Sequence, residues 1–248
     1  MRTLYDDLED PVELPDEIST VVSIVPSLTE SIAHTHRRLL IGATDWCSHP
    51  HDLDVTRVRG TKNPDVERIV RLRPDVVVAN AEENRAIDLD ALRAHGVAVW
   101  VTTPTTVEES LASLERMLSA ITGDVPSWVG EAREVWSTPY AGPRRRAVIP
   151  IWRKPWMALG RDTFAGDVLA RLGIDNVFVE SPDRYPRIDV AALPAYDVVV
   201  LPDEPYAFSP GDGPEAFQQP AKCVSGRHLT WYGPSLVEAR TVLSGQLA

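Results

Sequence analysis

The feature that most constrains this chain is a recurring one: short runs rich in Val and Ile alternate with amphipathic segments. Val21–Pro26 (VVSIVP), Ile41–Trp46 (IGATDW), Asp75–Ala79 (DVVVA) and Val97–Thr102 (VAVWVT) read as strands. Runs this short and this β-branched suit strands buried on both faces. The segments between them read as helices. Ser27 caps one, with Glu30 three residues on completing a capping box. Asn63-Pro64-Asp65 opens another, with Pro64 in its first turn, and Arg73-Pro74 stops it. Leu89–His95 is helical and ends at Gly96. This rhythm predicts βα units and a mostly parallel sheet.

The rhythm then pauses. Val107–Ile121 reads as a helix, with Val107, Leu111, Leu114, Met117, Leu118 and Ile121 at helical spacing. Gly123 and Pro126 interrupt it, and Trp128–Trp136 is a second helical piece. Beyond Pro139–Pro143 the alternation resumes: strand Ala147–Trp152, helix Thr163–Leu172, strands Asn176–Val179 and Asp197–Leu201, a surface loop Pro202–Pro214, and a last helix near Ser235–Leu243. The expected fold class is α/β: two Rossmann-like lobes with mostly parallel sheets joined by a backbone helix. The boundaries read as an acidic N-terminal extension (1–19), a first lobe (20–105), a connector (106–140) and a second lobe (141–248).

A net charge of −11 over 248 residues argues against nucleic acid or an anionic membrane as partner, because a polyanion is repelled. The opening stretch carries Asp6, Asp7, Glu9, Asp10, Glu13, Asp16 and Glu17, with no apolar run before Val21. That is not a secretory signal. The expectation is a cytoplasmic chain, or an extracytoplasmic one should translation begin upstream of Met1. Cys47 and Cys223 form no CxxC pattern and read as reduced structural thiols.

Ligands of open α/β sheets lie beyond the carboxyl ends of the strands. The residues that follow the strands are Ser27–Thr29, Asp45–His49, Thr61–Asn63 and Asn80–Asn84 in the first half. In the second half they are Trp152, Arg153, Lys154 and Trp156, then Tyr185, Tyr206, Trp231 and Tyr232. Aromatic side chains with mixed-charge neighbours suit a flat ligand with polar edges. His49 and His51 stand two apart in a loop, His34 and His36 two apart on a helix, and His95 and His228 alone. None builds a metal site. No GxSxG elbow, Walker loop, GxGxxG or HExxH occurs, so no catalytic residue is assigned.

Together VVSIVPSLTE, TDWCSHP, GTKNPDVERIVRLRPDVVVAN, EEN, PIWRKPWMALGRDT, VLPDEPY and LTWYGP resemble the substrate-binding proteins of cobalamin and iron–siderophore ABC importers, the helical-backbone metal receptors. The resemblance spans about residues 20–245. It implies two lobes on one long helix, holding a metal chelate between them without chemistry: a corrinoid such as cobalamin, a haem-like ring or a ferric siderophore. The ligand brings its own cobalt or iron, so no built-in cofactor is expected. By similarity Trp46, Lys62, Asn80 and Glu83 line the first lobe, and Trp152, Trp156, Tyr185 and Trp231 the second. Glu67 takes the place of a glutamate that docks on the permease. Its second-lobe counterpart falls on Ala191, with Asp189 the nearest acid. A monomer is implied. The alternative is a cytosolic enzyme using Glu82, Glu83 or Lys62, or a protein-interaction module on the same fold.

Overall fold

The structure is a computed structural model that describes residues 1–248. It contains two compact α/β units. The first comprises residues 1–104, 110–130 and 232–234; the second comprises 105–109, 131–231 and 235–248.

The first unit contains β1 (Arg2–Tyr5), β2 (Pro11–Leu14), β3 (Val21–Ser23), α1 (Pro26–His36), β4 (Leu40–Ala43), β5 (Thr56–Arg57), β6 (Arg59–Gly60), β7 (Asn63–Pro64), α2 (Val66–Leu72), β8 (Val76–Asn80), α3 (Ala86–Ala94) and β9 (Val99–Thr102). Its sheet has the order β5-β4-β3-β8-β9, and every pairing is parallel. Val22, Ile24, Ile69, Val77, Leu92 and Val101 are fully buried in one cluster. Each such side chain contributes about 1.5–3 kcal/mol relative to exposure.

Two helix starts differ from the sequence reading. Pro26, not Ser27, opens α1: Val25 is the N-cap, and no side chain caps it. Proline's fixed φ is already helical, so it takes the first position. Ser27 then lies inside the first turn, and the expected capping box does not form. In α2 the cap is Asp65, whose carboxylate accepts from the Arg68 N–H at 3.0 Å. Pro64 sits one step earlier than expected, paired with Arg59 in a β6–β7 hairpin.

Residues 1–14 are built into the first unit. β1 and β2 form an antiparallel hairpin that pairs Arg2 with Leu14 and Tyr5 with Pro11, with Val12 and Leu14 buried. Its turn serves the outer edge of β9. The Asp6 carboxylate accepts from the Val101 N–H at 3.1 Å, and the Asp7 N–H donates to the Val101 carbonyl at 3.1 Å. Asp7 also accepts from Thr103 N and Ser113 Oγ and pairs with Arg116. The acidic residues thus satisfy an edge strand that would otherwise expose unpaired backbone.

The connector is two helices, as the interruption at Gly123 and Pro126 predicts, and not the single long helix that the resemblance implies: α4 (Val107–Thr122) and α5 (Ser127–Ser137). Gly123, at φ +79°, ends the first in the left-handed region that glycine tolerates.

The second unit contains β10 (Arg145–Val148), β11 (Pro150–Arg153), β12 (Trp156–Ala158), α6 (Phe164–Ala170), β13 (Ile174–Asn176), β14 (Val198–Pro202), β15 (Ala221–Val224), α7 (Gly226–Thr230) and α8 (Leu236–Leu247). Its parallel sheet has the order β13-β10-β14-β15. The sequence reading missed β15 and α7. It also merged β10 with β11, which leaves the sheet to form an antiparallel hairpin with β12. No helix is long and apolar enough to cross a membrane.

Candidate functional site

At the carboxyl end of the first sheet, the loop after β8 is organised by one amide. Asn80 is 5% exposed. Its Oδ1 accepts from the Glu82 and Glu83 N–H groups at 2.8 and 3.0 Å. Its Nδ2 donates to the Thr102 carbonyl at 3.0 Å and to the Tyr232 hydroxyl at 2.8 Å. Thr102 Oγ1 donates to the Ala79 carbonyl at 3.0 Å, so across the 2.8 Å contact with Tyr232 the phenol is the donor. Burial, followed by the nearby Glu83 charge, pushes the Tyr232 hydroxyl well above its ordinary pKa. It remains a neutral phenol that can both give and accept. Asn84 closes the loop, donating to the Ile24 and Thr61 carbonyls at 3.2 and 2.9 Å. Asn80 was expected to line the ligand. The structure instead commits its whole amide to shaping the loop that carries Glu82 and Glu83, because a buried amide must satisfy its own polar atoms.

Lys62 reaches the same loop. Its Nζ donates to the Glu82 carbonyl at 2.5 Å. Lys62, Glu82 and Glu83 therefore share the carboxyl edge of the first sheet. Trp46 follows β4 and is 70% exposed. Its indole lies against the β6–β7 hairpin, where a Cβ on Gly60 would stand 3.3 Å from Trp46 Nε1. Next to it, Cys47 is buried, with its Sγ 2.9 Å from Thr29 Oγ1 and 3.1 Å from Thr44 Oγ1. Burial raises its thiol pKa, which makes it an anchor rather than a nucleophile.

The residues expected in the second unit divide. Trp152 is 43% exposed and meets Tyr206 edge-on at 5.7 Å between centroids. Tyr185 is half-buried, in a loop whose Arg184 and Pro186 carbonyls accept from Gly160 and Ala158. Trp156 is packed inside an aromatic cluster. It stacks on Phe208 at 5.8 Å, meets Phe217 edge-on at 5.3 Å, and carries the Arg153 guanidinium over its face at 5.4 Å. Trp231 is 6% exposed, and its Nε1 donates to Glu204 Oε2 at 2.8 Å. Burial raises the Glu204 pKa, and this hydrogen bond only partly offsets the shift. Trp156, partly buried, and Trp231, buried, thus make these contacts within their own unit.

Glu67 stands on the first turn of α2, exposed and 3.6 Å from Arg71 one turn on. His228, isolated in sequence, lies between Ser225 Oγ at 2.7 Å and Glu238 Oε1 at 3.1 Å. The His49 and His51 rings lie 4.4 Å apart, but no group of three or more His, Cys, Asp or Glu side chains is placed to hold a metal ion. Both cysteines are free thiols. Sequence reasoning named Tyr232 as a strand-end residue without its hydrogen-bonding role, and gave no role to Glu204 or Arg57.

No family model matches the chain. A vitamin B12-binding protein from Vibrio parahaemolyticus is 24% identical over 159 residues, 61% of this chain and 58% of that protein. The match spans less than two thirds of that relative's length. A vitamin B12-binding protein from Pectobacterium carotovorum is 23% identical over 84% of this chain and 80% of its own. Among solved structures, the periplasmic vitamin B12-binding protein of Vibrio cholerae superposes with a TM-score of 0.75 at 18% identity, covering 94% of this chain and 98% of that one. The fold is that of the class III periplasmic binding proteins. A periplasmic haem-binding protein from Roseiflexus shares it with a TM-score of 0.73 at 17% identity, covering 92% of this chain and 97% of that one. So does a Helicobacter pylori protein solved with Ni(II) bound, with a TM-score of 0.82 at 13% identity, covering 99% and 88%. The expectation of a cytoplasmic chain finds no support here, since several of these neighbours are named as periplasmic.

Proposed function

We propose that this chain binds a metal chelate and does not transform it. The ligand is a corrinoid such as cobalamin, a haem-like ring or a ferric siderophore, and its metal arrives with it. The observation that carries this reading is Trp46: a large indole, 70% exposed, in the loop after β4 at the carboxyl end of the parallel sheet that also carries Lys62, Glu82 and Glu83. An indole face left in water costs apolar exposure that a flat ligand removes. The sequence relation to vitamin B12-binding proteins supports the ligand class.

In this reading Trp46 stacks on the macrocycle, and Lys62 and Glu83 meet its polar edge. Trp152 and Tyr185 are the second unit's contacts. Asn80 shapes the first unit's loop, while Trp156 and Trp231 support from within. Glu67, exposed on α2, is the docking contact for an importer permease. The protein works as a monomer. Its place is outside the cytoplasm, a reading supported by neighbours named as periplasmic, and its net charge of −11 keeps it off nucleic acid. Titration with cyanocobalamin, haemin and a ferric catecholate should quench tryptophan emission for at least one of them. No binding by any at tens of micromolar, about −6 kcal/mol, overturns the reading.

A further inference from the structure

An exposed aromatic on a loop is ordinarily mobile. Trp46 is not placed that way: the loop that carries it is held by four groups. The Arg57 guanidinium, from the edge strand β5, donates through Nη1 to the Thr44 and Cys47 carbonyls at 2.8 and 3.0 Å and through Nη2 to the Leu53 carbonyl at 3.3 Å. The Cys47 thiol is lodged between the Thr29 and Thr44 hydroxyls. The Asp45 N–H donates to the Arg59 carbonyl at 2.8 Å. Arg37 grips the Asp52 carboxylate at 3.0 Å to both oxygens. Gly60 lets the hairpin backbone come close beneath the indole. The two residues flanking Trp46 are thus fixed by backbone or buried side-chain contacts, while the indole itself stays exposed.

We infer that Arg57 is a positioning residue for ligand binding, fixing the loop so that Trp46 is presented ready-oriented to a flat, π-faced ligand. The inference rests on the chelate-binding function proposed above. One planar fork spans three carbonyls, which a lysine ammonium on a flexible stem does not reproduce. A side chain already in its bound orientation avoids the ordering cost of association, so the brace acts on affinity, chiefly through a slower off-rate.

The test is a double-mutant cycle with cyanocobalamin and haemin as probes. Arg57→Lys should weaken binding by about tenfold through a faster off-rate. In the Trp46→Ala background the same change should cost less than about twofold, because the side chain it positions is gone. An equal loss in both backgrounds, or wild-type affinity in Arg57→Lys, overturns the inference and leaves chelate binding standing. Failure of the unmutated protein to bind either probe or a ferric catecholate overturns chelate binding itself, and the inference with it. Should Arg57→Lys fail to fold, Arg57→Gln, which keeps a planar amide donor, enters the same cycle with the same outcomes.

Discussion

Trp46 in the first unit and Trp156 in the second were singled out by one rule, an aromatic beside a strand end, and they have opposite fates. Trp46 touches little of its own unit and is 70% exposed, although its backbone neighbours are tightly held. Trp156 is partly buried and packed against Phe208, Phe217 and the Arg153 guanidinium, and Arg153 is itself paired with Asp212 and Glu215. The difference teaches that residue type at a strand end does not separate a contact surface from a filler. What separates them is whether other side chains close over the ring.

The contrast is broken or sharpened by stability measurements. Trp156→Ala should destabilise the second unit by about 3 kcal/mol, since it empties the middle of an aromatic cluster. A loss below about 1 kcal/mol in chemical denaturation would mean that the cluster does not support the fold. Trp46→Ala should change stability by less than about 0.5 kcal/mol while lowering chelate affinity by about 1–2 kcal/mol. A stability loss as large as that of Trp156→Ala would erase the distinction. Within the first unit, Tyr232→Phe should cost about 1 kcal/mol, because Asn80 Nδ2 and Thr102 Oγ1 lose a shared partner while the ring still packs.

The smallest effect expected is at Glu204. Burial raises its pKa in the folded state, so the folded chain binds this proton more tightly than the unfolded one. The resulting stabilisation is full below the unfolded pKa and is lost as pH rises through the folded value. Ionising this buried carboxyl as pH rises therefore costs stability. Glu204→Gln keeps an acceptor for Trp231 and should raise the thermal midpoint at pH 7 by about one to two degrees, with the gap closing towards pH 4. A gap independent of pH would show that Glu204 is not carrying a buried charge.

Much of the architecture was legible. The runs that became β8 and β14 are apolar throughout and stand in the centre of their sheets, where local pattern and burial agree. The α4 stripe likewise read correctly to within a residue. The N-terminal hairpin did not: its exposed positions are acidic, so in sequence it looks like a solvated tail, and its partners Val101 and Arg116 lie about a hundred residues away. Of the site, Trp46 and Lys62 stand at the strand end where they were expected. Asn80 was found at the strand end, but the use of its amide was not legible, because only its distant partners Thr102 and Tyr232 reveal it.

The sequence by itself determined the strand and helix alternation, the parallel class of sheet and the set of aromatic and charged residues near the strand ends, since those follow from local spacing and side-chain chemistry. Only the tertiary structure decided which of those residues face solvent. That depends on where other segments arrive: Arg57 holds the loop that carries Trp46, whose indole stays exposed, and Glu204 accepts from the indole N–H of a buried Trp231. Burial is a property of packing between segments far apart in the chain, and no local pattern encodes it.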